Sequence, residues 1–262
     1  MERTDKVKIN LLWTGGLDST FRLCELSRQN VEVQPYYILD PTRGSIKEEQ
    51  RAMSRILEML RNHGETKADI KDVKNIIFSQ IHDDDKIKKS YKFFSDWNQL
   101  GSQYDYLARF ADQNNLKLEV GLEGSDRSKA TVVLKKFGDL QKHSYDSSDS
   151  LWAQYYMINS PAVSEECKDV FQNIIIPAHL FGLAKTEEYG KMQAWGGYYE
   201  QIAKLTWFCH RPVLGMTCGH CNPCRDALNE GMEWRVSKAG MFLGTIRNFS
   251  EKVSRRIKRI LK

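Results

Sequence analysis

Residues 8 to 21 read KINLLWTGGLDSTF, and the organisation of the chain follows from them. Ile9 to Trp13 is a mostly apolar run that predicts a buried strand, and Thr14 to Thr20 then turn into a helix whose apolar positions are Phe21, Leu23, Cys24 and Leu26. Gly15 and Gly16 permit backbone conformations that a Cβ would forbid, so that successive N–H groups and the positive helix end face one pocket. Thr14, Ser19 and Thr20 add hydroxyls. Such a turn is built for an anion, and phosphate is the natural guest.

Working outward, Val31–Leu39 predicts a second strand, broken by Asp40, Pro41 and Gly44. Ser45 is placed to cap a helix running to Arg61, with Ile46, Met53, Ile56, Leu57 and Leu60 mostly on one face. Strand, helix, strand, helix implies a parallel sheet with ligands beyond the carboxyl ends of its strands, near the point where strand order reverses. Asn75–Ser79 reads as a short strand. Asp83–Lys89 reads as a solvated helix start, followed by Tyr91, Phe93, Phe94 and Trp97 at core-packing spacing.

Tyr104–Asn114 predicts a helix and Leu116–Leu122 a strand. The polar residues just past it, Glu123, Asp126 and Arg127, are candidate substrate contacts. The run from 145 to 150 is a loop, Leu151–Ile158 reads as a short helix, and Asn173–Pro177 as a buried strand. Behind that strand Thr186 is placed to cap a helix with Glu187 and Glu188 in its first turn, and Lys185 stands just ahead.

Cys209, Cys218, Cys221 and Cys224 form a cluster: a Cys-x2-Cys-x2-Cys knuckle with Gly219 at the turn, completed from a separate segment. Four thiolates close a tetrahedral shell with no place for water, so the metal is expected to be structural. An iron–sulfur cluster also uses four cysteines, but thiolates in such a site favour zinc. Cys24 reads as a small core residue, and Cys167 lies in a polar stretch.

The 262 residues suffice for a full core, and the hydrophobic and charged fractions of 41% and 28% are ordinary for a globular protein. The net charge of +5 arises from residues 247 to 262, where seven basic residues face Glu251 alone, so the remainder is close to neutral and no general nucleic-acid footprint is present. Ile246, Phe249, Val253, Ile257 and Ile260 give this tail an amphipathic pattern that reads as a terminal helix docked on the body. The opening MERTDKVK is charged, without a secretory apolar region, and no stretch suits a membrane span, so a cytoplasmic location is expected.

The loop TGGLDST resembles the PP-loop of ATP pyrophosphatases, with Thr14 in place of the first serine of Ser-Gly-Gly-x-Asp-Ser. Together with PAHLFGLAKTEE, the Thr206-Trp207 pair and the CGHCNPC knuckle, the chain resembles the QueC-like 7-cyano-7-deazaguanine synthase family over the first 60 residues and 173 to 228. That resemblance implies a Rossmann-like α/β fold of the adenine nucleotide alpha hydrolase type, with helices on both faces of a parallel sheet. It also implies a division into an ATP-binding domain (1–205) and a zinc knuckle with C-terminal helices (206–262).

It implies ATP, Mg²⁺ and Zn²⁺ as cofactors, nucleotide contacts at Trp13, Thr14, Gly15, Gly16, Leu17, Asp18, Ser19, Thr20 and Asp40, and catalysis by Asp18, Ser19 and Lys185. Asp18 would orient Mg²⁺ or the helix start, and Lys185 would neutralise phosphate charge. The implied reaction activates a deazapurine carboxylate as an acyl-adenylate that ammonia attacks, giving an amide and then a nitrile. The middle of the chain departs from the family: Gly101-Ser102-Gln103-Tyr104 stands where its substrate-side Arg-Asn segment belongs. An acceptor amine on a protein or other macromolecule, a non-catalytic nucleotide scaffold, a nucleic-acid-binding knuckle and a sulfur transferase are the competing readings, and a homodimer is compatible with each.

Overall fold

A computed structural model describes residues 6–122, 124, 128–146 and 150–247. In chain order the elements are β1 (Val7–Leu12), α1 (Leu17–Ser27), β2 (Val31–Leu39), α2 (Ile46–Asn62), β3 (Asp69–Ile70), β4 (Lys74–Ile77), α3 (Asp85–Asn98), α4 (Gln103–Gln113) and β5 (Leu118–Glu119). Then come α5 (Lys129–Phe137), β6 (Leu140–Ser144), β7 (Gln154–Ile158), α6 (Glu165–Phe171), β8 (Ile174–Pro177), α7 (Lys185–Ala194), α8 (Gly197–Leu205) and α9 (Asn222–Asn229).

The sheet runs β3-β2-β1-β5-β8-β7-β6, with β4 also paired to β2. The pairs from β3 and β4 to β8 are parallel, whereas β7 runs antiparallel to β8 and β6 to β7. The fold is therefore mixed α/β with a mostly parallel sheet. β1 lies between β2 and β5, so strand order reverses beside its carboxyl end, which is where open parallel sheets leave a crevice.

Side-chain alternation along the strands divides the core. On β2, Val31, Val33 and Tyr37 join one apolar cluster with α1, α2 and α8, while Tyr36 and Ile38 join another with α4 and α6. Among the described residues no helix is long and apolar enough to cross a membrane.

Several expectations are corrected. Leu151–Ile158 is not a helix: a single tight turn at 151–153 leads into β7, whose Tyr155 and Tyr156 face β8 across an antiparallel ladder. The strand expected over Leu116–Leu122 is reduced to the two residues that find partners on β1 and β8. Thr186 does not cap α7, since Ala184 occupies that position and the Glu187 carboxylate accepts from its N–H at 2.9 Å. Ser45 does precede α2, but its hydroxyl donates to Glu49 Oε1 at 2.6 Å instead of accepting from the helix. Of the α3 aromatics Phe94 is buried, whereas Phe93 and Trp97 stay partly exposed against Phe137. Cys24 is fully buried as expected, and so is Cys167, which belongs to the second cluster. Ile246 is exposed, and the tail beyond Arg247 lies outside the described residues.

Helix α1 is locked to the sheet by charge. Arg22 is fully buried and donates to Glu119 Oε1 at 2.7 Å, to Glu119 Oε2 at 3.1 Å and to the Trp152 carbonyl at 2.9 Å. The Tyr145 hydroxyl adds a bond to Glu119 Oε2 at 2.9 Å, and Glu25 bridges Arg22 and His179. The antiparallel extension is thereby held against the helix that follows the glycine turn. Burial disfavours ionised Glu25, but the hydrogen bond from His179 and the charge of Arg22 outweigh it and hold the carboxyl below its ordinary 4.5. A depressed carboxylate contributes stability that is full above that ordinary value and lost as pH falls through the folded one. Arg22→Met leaves Glu119 buried and uncompensated and is expected to cost about 3–5 kcal/mol in chemical denaturation. Glu25→Gln is expected to lower the melting temperature at neutral pH and to flatten its fall below about pH 4.5, read by melting scans across pH.

Candidate functional site

Between β1 and α1 the backbone is shaped by its own hydrogen bonds. The Trp13 indole N–H donates to Thr20 Oγ1 at 3.0 Å, and the Thr14 N–H to Ser19 Oγ at 3.4 Å. Gly15 has a φ of +70°, and a Cβ there would lie 3.0 Å from Met53 Cγ and 3.2 Å from the Glu49 carbonyl oxygen. The Gly15 carbonyl accepts from the Trp207 N–H at 2.8 Å, which ties the turn to the segment entering the cysteine cluster. Gly16 occupies the cap position of α1 with no side-chain bond to the helix amides, so the first-turn N–H groups are left for another acceptor.

Three cavities converge on Asp18. One of about 470 Å³ has walls from Leu122, Leu180, Leu183, Lys185 and Glu188. A second, of about 220 Å³, is lined by Thr14, Gly16, Arg43, Lys185, His210 and Arg235 among others. A third, of about 290 Å³, has an apolar side from Leu12, Ile38, Tyr106, Leu107 and Val120, and a polar side from Ser19, Arg43 and Gln103. Lys185 stands at the edge shared by the first two, Arg43 at that shared by the second and third, and Gly121 at that shared by the first and third.

Of the residues singled out by sequence, Thr14, Gly16, Leu17, Asp18, Ser19 and Lys185 line these cavities. Trp13 and Thr20 are fully buried and hold the turn from behind. Gly15 acts through its backbone. The Asp40 carboxylate accepts from the Thr42 N–H at 2.9 Å and the Thr42 hydroxyl at 2.7 Å, closing the turn after β2. Glu123, Asp126 and Arg127 lie outside the described residues.

Lys185 Nζ is 3.7 Å from Asp18 Oδ1. One helical turn further on, Glu188 is 3% exposed, and its Oε2 has no hydrogen-bond partner among the described residues. Burial, and after it the neighbouring Asp18, raises the Glu188 carboxyl well above the carboxylate range, so it is a neutral acid at pH 7. Burial lowers Arg235 to about 10, which leaves it a cation at neutral pH; it lies 4.3 Å over the Phe208 ring and donates to Thr206 Oγ1 at 3.0 Å. Glu188, Arg235, Arg43 and His210 are the site residues that sequence reasoning missed. Glu188 stands in the first turn of α7 as an ordinary helix-start acid, and Arg235 sits in no motif, so neither carried a signal of its own.

The four cysteines converge as their spacing predicts. Their sulfurs lie within 4.8 Å of one another, with Cys218 to Cys224 at 4.0 Å and Cys221 to Cys209 at 3.9 Å. A tetrahedral ion with sulfurs at about 2.3 Å needs sulfur separations of about 3.8 Å, so this donor set fits a metal such as zinc. The Cys218 N–H donates to Cys209 Sγ at 3.2 Å and the Cys221 N–H to Cys218 Sγ at 3.3 Å, the outer bonds that orient thiolate ligands. Gly219 takes the left-handed turn (φ +70°), and α9 starts inside the knuckle with Pro223 in its first turn. The His220 Nδ1 lies 2.9 Å from the Cys218 carbonyl oxygen, and the four-sulfur set does not include this ring. Trp207 joins the two centres, because its indole N–H donates to the Cys209 carbonyl at 2.8 Å while its backbone holds Gly15.

Gly15→Ala is expected to cost about 1–2 kcal/mol from the left-handed conformation alone, read in urea melts, with a further loss from contact with Met53. Cys221→Ser is expected to abolish the bound metal by elemental analysis and to lower the melting temperature, as chelation of the wild-type chain would. No protein-family model and no curated protein matches this chain, so the site is read from its own geometry.

Proposed function

We propose that this chain is a QueC-like, ATP-dependent carbon–nitrogen ligase that adenylates a deazapurine carboxylate, such as 7-carboxy-7-deazaguanine, and couples it to ammonia. The observation that carries this reading is the meeting of three cavities at Asp18, on a glycine turn at the carboxyl end of β1. The nucleoside, the departing pyrophosphate and the acid each need a space around the reacting phosphorus. The reading brings with it a Rossmann-like sheet of the adenine nucleotide alpha hydrolase type, zinc at the four cysteines and a cytoplasmic setting.

In this reading the amides of the α1 turn and the Ser19 and Thr14 hydroxyls hold phosphate oxygens. The acid's carboxylate oxygen attacks the α-phosphorus, the bond to the bridging oxygen breaks and pyrophosphate leaves. Lys185 and Arg235 face the cavity that receives it and offset its charge. Asp18, which lines the same space as Asp226 and Glu230, would hold Mg²⁺, which when bound supplies charge neutralisation. Ammonia then attacks the acyl carbon, the carbon–oxygen bond breaks, and AMP leaves as the new amide loses a proton. A second ATP adenylates the amide oxygen with loss of pyrophosphate and one N–H proton, and departure of AMP with the remaining N–H proton leaves the nitrile. No protein nucleophile takes part. Burial raises Cys24 and lifts Cys167 to about 12, which leaves both as thiols and disfavours sulfur transfer.

A macromolecular amine in place of ammonia is the second reading, and a specific feature favours it. A groove of about 270 Å³ is lined by Arg51, Arg55 and Lys204, and it shares Trp207, Phe208 and Arg235 with the cavity at the loop. That wall gives an acidic partner a surface beside the reacting groups.

The test is AMP and pyrophosphate release from ATP with Mg²⁺ and ammonium, with and without 7-carboxy-7-deazaguanine, with products read by mass. AMP that depends on the acid, followed by the nitrile mass, is the expected result; an amide or adenylate as end point would favour the second reading. ATP bound without AMP formation would leave only a scaffold. Lys185→Met is expected to lower kcat/KM about 100-fold with the melting temperature unchanged.

A further inference from the structure

Arg43 belongs to no motif, yet it is the most deliberately held cation in the site. It lies on the turn between β2 and α2, where the Asp40 carbonyl accepts its N–H at 3.0 Å and the Asp40 carboxylate fixes Thr42 beside it. Its Nη2 donates to Glu49 Oε1 at 2.6 Å. Glu49 is itself buried and further bound by the Ser45 hydroxyl on Oε1 and the Tyr37 hydroxyl on Oε2, both at 2.6 Å. Three donors on one buried carboxylate fix its position, and the carboxylate fixes the guanidinium. The carbonyl of the same Glu49 lies behind Gly15, so the clamp and the loop share a support.

Among the described residues, Nη2 is the guanidinium nitrogen that donates to a side chain. Arg43 lines the edge between the 220 Å³ and 290 Å³ cavities, shared with Thr14, Gly16, Asp18 and His210. The 290 Å³ cavity has the apolar lining that suits a nucleobase, from Leu12, Ile38, Tyr106, Leu107 and Val120, and among the described residues it holds no other Lys or Arg. The 220 Å³ cavity also contains Lys185 and Arg235.

We propose that Arg43, clamped by Glu49, Tyr37 and Ser45, binds the phosphate attached to the nucleoside, while Lys185 serves the phosphates that leave. The proposal rests on the nucleotide reading of the loop and adds a direction to it: base in the apolar cavity, α-phosphate at Arg43, pyrophosphate toward Lys185 and Arg235. Asp40, selected by sequence as a nucleotide contact, becomes a positioning residue for Arg43.

The experiment is calorimetric titration of the full chain with AMP, with pyrophosphate and with ATP, for wild type, Arg43→Gln, Arg43→Lys, Tyr37→Phe and Lys185→Gln. Arg43→Gln is expected to weaken AMP and ATP by about 10- to 100-fold, the loss of a charge-assisted bond, and to leave pyrophosphate within about 2-fold. Lys185→Gln should show the reverse pattern. Tyr37→Phe keeps the guanidinium but loosens its clamp, and should weaken AMP several-fold with pyrophosphate unchanged. Arg43→Lys, which keeps the charge over the buried Glu49, replaces Arg43→Gln if the melting scan of the latter shows unfolding, and should still weaken AMP because it loses the planar fork. If the Arg43 variants leave AMP binding intact, or weaken AMP and pyrophosphate alike, the assignment is overturned while the nucleotide reading stands. If wild type binds none of the three, both fall.

Discussion

At Gly15 four stretches of chain come together: its left-handed backbone rests on the Glu49 carbonyl and Met53 of α2, its carbonyl is held by Trp207, and the residues beside it open α1. A side chain there meets tight contacts and an unfavourable dihedral. Because this residue is glycine, β1 ends against α2 without strain, the amides of α1 face outward, and the segment leading to the cysteines approaches the loop. The candidate site is therefore a consequence of close backbone approach more than of any individual side chain.

Charge organises the two sides of that approach differently. Behind α1 the Arg22–Glu119 pair is fully buried and many-partnered, so it acts as a structural rivet from helix to sheet. In front, Arg43, Lys185 and Arg235 each meet a carboxylate or an aromatic ring but keep a face on a cavity. Buried ion pairs give up their hydration and must be satisfied internally, whereas cations at a cavity wall retain donors for a ligand. The distinction separates residues that hold the fold from residues that could hold an anion.

Long amphipathic elements were legible in the sequence, because their pattern is set by their own burial. β2 matches its expected limits, α1 and α2 are found where their apolar faces put them, and the four cysteines meet as their spacing demands. The region from 128 to 170 was not legible, since β6 and β7 carry little alternation and join the sheet through the pairing of β7 with β8. Glu188 and Arg235 were missed for a related reason. Each is informative only beside Asp18, a neighbour supplied by another part of the chain.

The sequence by itself determined the local chemistry: a glycine turn at a strand end, an anion-ready helix start and a four-thiolate set with metal spacing. Periodicity and spacing are properties of neighbours in the chain, so they survive without a fold. Only the tertiary structure decided that three cavities share Asp18, that Arg43 is clamped at one edge, and that Trp207 links the cysteines to Gly15. Those relations join residues from 13 to 235, and it is packing across the carboxyl ends of the strands that brings them within hydrogen-bonding reach.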